Sequence, residues 1–158
     1  MKASQQTAVQ DVTNADDGYL KSFRGSFSSM LRWPQLDTLW ARLREQADAG
    51  WYAYAIGETP PAAPLDAQQV DSFLTEIDTL LRRDHQEDYC GIVYADNPAD
   101  PTFVKIYDPH NLGVVCGFSD NPPLPGWTLS LQRPCDLPAA MPPPGGRRRW
   151  WQRLWQAH

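Results

Sequence analysis

A two-layer α+β sandwich, a four-stranded antiparallel or mixed sheet with two helices on one face, is the fold class that this 158-residue sequence predicts. Three observations point to it. Two segments repeat apolar residues at spacings of three and four, an aromatic run at residues 51–56 and segments of period two from Tyr89 onward read as strands, and proline-rich breaks separate them. The length suits one domain with one core. At 42% hydrophobic and 21% charged residues, the composition is ordinary globular usage, which argues against a wholly disordered or membrane-embedded chain.

The first helix is predicted after Trp33. Pro34 suits the first helical position, and Leu36, Leu39, Trp40, Leu43 and Ala47 form one apolar stripe. Gly50 can take the left-handed conformation that closes a helix, so the boundary is expected near residue 49. The aromatic run Trp51 to Ile56 predicts a strand with Tyr52, Tyr54 and Ile56 on one face. The second helix has the fuller start signal. Asp66 followed by Gln69 reads as a capping box, and Leu65 with Val70 as a hydrophobic staple. Val70, Phe73, Leu74, Ile77 and Leu81 continue the stripe, and Arg82 and Arg83 favour the C-terminal end of the helix dipole.

From Tyr89 the period changes to two. YCGIVYAD and TFVKIYD flank NPADP as an antiparallel hairpin would, the turn DPHNLG leads to VVCGF, and Trp127, Leu129 and Leu131 alternate with polar residues. Residues 1–30 are expected to be largely disordered or draped on the body. Residues 31–133 form the α+β domain, 134–146 a Pro/Gly-rich hinge, and 147–158 a cationic, tryptophan-rich amphipathic tail.

Composition also bounds location and partners. The first 22 residues hold no apolar stretch of the kind a secretory signal needs, and no apolar run approaches the ~20 residues of a membrane-spanning helix. A cytoplasmic protein, peripheral to the membrane at most, is expected. Cys90, Cys116 and Cys135 make an odd count without CxxC spacing, so no disulfide framework, metal site or cofactor is expected. The net charge of −5 is unevenly spread: residues 145–158 carry +4 and no acid, which leaves residues 1–144 at −9.

Candidate chemistry in the body is sparse. Asp108, His110 and Asn111 lie together in DPHNLG, with Cys116 in the segment that follows. A thiol, an imidazole and a carboxylate are the parts of a cysteine nucleophile, so Cys116, His110 and Asp108 are the candidate catalytic set of a small thiol-dependent enzyme or sensor. Against this, Asp, Pro, Asn and Gly are what a turn requires, and Cys116 shares a strand face with Val114 and Phe118. His85 falls in the charged segment RRDHQED. Cys90 shares a face with Ile92 and Tyr94 and reads as a small core residue. Tyr52, Tyr54, Tyr94, Tyr107 and Trp127 form either a ligand-binding sheet face or ordinary cross-strand pairs, and the second reading is preferred.

The segment GGRRRWWQRLWQAH differs in kind. As a helix it groups Trp150, Trp151, Leu154 and Trp155 on one side, with Arg147, Arg148, Arg149 and Arg153 around the other. Such a stretch docks into a partner protein's groove or lies on an anionic membrane surface. Nucleic acid is disfavoured by the acidic body. A segment this short needs something to fold against, and its own body is the alternative dock; the hinge favours a tail that reaches away. The expected function is therefore that of a non-enzymatic interaction protein, an adaptor or assembly factor, acting through this tail.

Overall fold

The computed structural model describes residues 18–111, 124–137 and 145–156. Along the chain these form α1 (residues 18–23), β1 (Ser28–Ser29), α2 (Trp33–Glu45), β2 (Tyr52–Ala55), α3 (Ala67–Asp84) and β3 (Val93–Ala95). They continue through β4 (Phe103–Ile106), a 3-10 turn at Pro109–Asn111, β5 (Trp127–Ser130) and α4 (Gly145–Gln156). The class is α+β, as the periodicities require, with five strands and four helices among the described residues in place of four and two. The predicted strand at VVCGF lies outside the described residues.

The sheet order is β1-β3-β4-β5-β2, and every neighbouring pair is antiparallel. Registers Ala53↔Leu129↔Val104↔Ala95 and Tyr54↔Thr128↔Lys105↔Tyr94 run across four strands, so each row of side chains belongs to one face. The first row, with Ala55, Trp127, Ile106 and Val93 beside it, faces α2, α3 and α4 in the main core. The alternation visible in the sequence has this origin.

Helices α2 and α3 lie antiparallel on that face. Leu36, Leu39, Trp40 and Leu43 from α2 meet Val70, Phe73, Leu74, Ile77, Leu80 and Leu81 from α3, all buried. Each such side chain removed from water contributes roughly 1.5–3 kcal/mol. Polar links at both ends fix the alignment. Arg44 Nε donates to Asp71 Oδ1 at 2.8 Å, while Arg82 bonds Asp78 at 2.9 Å and Asp37 at 2.6 Å, and the Trp40 indole N–H donates to the same Asp78 oxygen. At the start of α3, Asp66 accepts from the Gln69 N–H at 2.8 Å and the Gln69 side chain accepts from the Asp66 N–H at 3.0 Å, which is the expected capping box. Helix α2 ends earlier than expected, at Glu45, with Pro34 as its second residue. Residues 46–49 turn, the Trp51 indole donates to the Gln46 carbonyl, and Gly50 then takes its positive φ of 96°.

The opposite sheet face is covered too. Tyr19, Leu20 and Phe23 of α1, together with Phe27, Leu124 and Leu137, pack over Tyr54, Ile56 and Phe103 as a second cluster. The Tyr19 hydroxyl meets Thr128 Oγ1 at 2.8 Å, and both residues are fully buried. Tyr19, Phe23, Phe27 and Met30 recur at spacings of four, four and three, but α1 carries only the first two, because the chain turns at Arg24 and Gly25 and enters β1. Their placement depends on the sheet beneath them.

Candidate functional site

The C-terminal helix α4 is built on a sharp division of its sides. Leu154 is buried, and Trp150, Trp151 and Trp155 are partly buried against the main core. Trp150 meets Trp127 of β5 edge-on at 5.8 Å, Trp151 meets Phe73 of α3 at 6.3 Å and 90°, and Trp155 stands against Trp151 at 5.1 Å. Such perpendicular ring pairs contribute about 0.5–1.5 kcal/mol each beyond the area they bury. The expectation of a tail reaching away from the domain is corrected here. Three indoles and a leucine at spacings of three and four form one apolar ridge, and the sheet and α3 offer an apolar surface nearer than any partner's.

The outward side of α4 is polar. Arg149, Gln152, Arg153 and Gln156 are all exposed and together line a cleft of about 390 Å³. Arg149 stands three and four residues before Gln152 and Arg153, and Gln156 stands four and three after them, so the four form one patch along the helix. Among the described residues neither Arg149 nor Arg153 makes an ion pair or a hydrogen bond. A second groove of about 550 Å³ separates α4 from α3 and is lined by Asp71, Ser72, Thr75, Glu76, Trp150, Arg153 and Leu154. The exposed surface therefore offers guanidinium and carboxamide donors, while the tryptophans serve the fold.

No family model matches the chain, and neither a curated protein nor a solved structure matches it.

Two of the three candidate catalytic residues, Asp108 and His110, lie within the described residues. Cys116 lies outside the described residues. Asp108, 5% exposed, does not orient the imidazole of His110: its Oδ1 accepts the His110 backbone N–H at 2.9 Å, the geometry of a turn-closing aspartate. The His110 ring instead places Nε2 3.2 Å from Asp84 Oδ2 at the end of α3, and the same carboxylate takes two bonds from the Arg83 side chain. Asp84 is the residue that sequence reasoning missed. It sits 26 positions from His110, and no local signal marks their meeting. No group of three or more His, Cys, Asp or Glu among the described residues is arranged to hold a metal ion.

The remaining candidates pack within the domain. His85 caps α3 and bonds the Cys90 carbonyl through Nε2 at 2.9 Å, its ring between Trp33 and Tyr89. Cys90 is fully buried, and that burial pushes its thiol above the ordinary range. Tyr94 and Tyr107 pair edge-on at 5.5 Å, Tyr54 is covered by the second cluster, and Trp127 belongs to the opposite face. Lys105 ends between Phe23 and Phe27, its ammonium 4.2 and 4.0 Å from the ring centres, and burial lowers its pKa.

Proposed function

We propose that this protein is a non-enzymatic interaction protein, an adaptor or assembly factor, whose α4 presents a cationic surface to a partner protein or to a membrane. One observation carries the reading. Arg149 and Arg153 stand one helical turn apart on the outer side of a docked helix, free of internal carboxylates, in a segment without acids, on a body of charge −9. Arginines kept as internal structural links look different in this protein: Arg44, Arg82 and Arg83 each hold a carboxylate. The contrast supports an external role for the pair on α4. No helix among the described residues is long and apolar enough to cross a membrane, so a membrane contact would be peripheral.

The test compares the intact protein with Arg149→Glu/Arg153→Glu in affinity capture and in vesicle sedimentation. Both substituted positions are exposed, so the fold is retained. Loss of a captured protein or of vesicle binding is the expected result. Unchanged behaviour in both assays refutes the reading.

A further inference from the structure

The docked state of α4 decides which partner its outer surface suits. We propose that the cleft between Arg149, Gln152, Arg153 and Gln156 binds the phosphate of anionic phospholipid headgroups, with α4 still packed on the domain. This inference rests on the interaction reading above and names its partner.

Three observations support it. Among the described residues the cleft is lined by two guanidiniums and two carboxamides, with the aliphatic stems that carry them. A protein interface gathers its energy around a desolvated aromatic or aliphatic centre, and the tryptophans of α4 that would supply one are partly buried against the main core, on the side away from this cleft. Arginine's planar fork matches phosphate oxygens two at a time, and neutral carboxamides donate to the oxygens that remain. Charge then fixes orientation. Residues 1–144 carry −9, so an anionic surface repels the body and attracts only the +4 segment.

The same geometry dictates how binding differs from that of a free amphipathic tail. With Leu154 buried and the three tryptophans packed against the domain, the described part of α4 keeps its apolar ridge on the domain and does not insert it into the hydrocarbon. Attachment is electrostatic and sensitive to salt, and tryptophan emission stays where it is in the unbound protein.

The experiment sediments the full chain with phosphatidylglycerol/phosphatidylcholine vesicles and with phosphatidylcholine alone. Expected is binding to the anionic vesicles only, weakened about 30-fold in Arg149→Gln/Arg153→Gln, since each arginine near such a surface is worth about fivefold. Arg149→Lys/Arg153→Lys keeps the charge without the fork and falls between the two. Raising sodium chloride to about 0.5 M abolishes binding. Inorganic phosphate at equal phosphate concentration leaves it largely intact; complete displacement would assign the cleft to free phosphate and overturn the headgroup assignment. Equal binding to phosphatidylcholine, undiminished binding of the glutamine variant, or a blue shift with quenching by brominated acyl chains each overturns the proposal. Protein capture that depends on the two arginines, without vesicle binding, removes the phospholipid and leaves the interaction reading standing. If neither readout depends on them, both fall.

Discussion

Replacing Leu154 by alanine tests whether α4 belongs to the domain. Leu154 is 7% exposed and stands between the tryptophan ridge and α3. Buried Leu→Ala changes cost about 2–5 kcal/mol, with the high values at sites that cannot relax. This site adjoins the open groove between α3 and α4, so the space left by the side chain is partly filled by water or by shifting indoles. The expected cost is about 2–3 kcal/mol. If α4 melts with the rest of the domain, that lowers the melting temperature by roughly 4–12 °C for a chain of this size. If it opens separately, the melting temperature holds and the amides of residues 149–156 exchange roughly 30- to 150-fold faster, because exchange reports the free energy of local opening. Hydrogen exchange and calorimetry on the same variant distinguish these cases. Arg153→Ala, on the exposed side of the same turn, is the control and changes either measure by no more than about 0.5 kcal/mol. A Leu154→Ala protein with unaltered exchange in α4 and unaltered melting refutes the docked helix, and with it the separation of a structural side from a binding side.

Three further outcomes follow from the other sheet face. Tyr19→Phe strands the Thr128 hydroxyl in a fully buried place and costs about 1–3 kcal/mol, whereas Tyr19→Phe/Thr128→Val removes both partners and recovers most of it; additive losses in urea denaturation would show that no such bond exists. Burial raises the pKa of Tyr19, Tyr54 and Tyr107. The unfolded chain therefore releases these protons near pH 10 while the folded chain keeps them, so their contribution is complete below that pH and declines above it, by up to about 1.4 kcal/mol per pH unit for the fully buried Tyr19. Denaturation midpoints that stay flat from pH 9 to 11.5 contradict this. Lys105→Met keeps the packing between Phe23 and Phe27 and removes an ammonium that burial disfavours, so stability changes by less than about 1 kcal/mol, while Lys105→Ala loses the stem and costs about 1–2 kcal/mol; equal effects of the two would mean that the rings do not hold the side chain.

The candidate site divides along the same line as the fold. His110 with Asp108 was legible because a turn brings chain neighbours together whatever lies around them. The bond they make, carboxylate to backbone N–H, is the one turn geometry prefers. The ring's contact with Asp84 arises because α3 ends beside the 3-10 turn, a distance in space that no spacing in the chain encodes. Likewise, the amphipathic character of α4 was readable from Trp150, Trp151, Leu154 and Trp155, but not the surface that receives them.

By itself the sequence determined the elements whose causes are local. It marked α3 with its reciprocal cap at Asp66 and Gln69, the apolar stripe of α2, the hairpin around NPADP, and the two-residue period that sends Val104 to one face and Phe103 to the other. Backbone geometry and side-chain spacing act within a few residues, so one chain suffices to show them. Only the tertiary structure decided the strand order, the cover that α1 and Leu137 give to the second face, and the seat of α4. Those depend on which apolar surfaces remain uncovered once the helices and strands exist. It is the packing of the tryptophan side against Phe73 and Trp127 that leaves Arg149 and Arg153, with Gln152 and Gln156, facing water among the described residues of the tail.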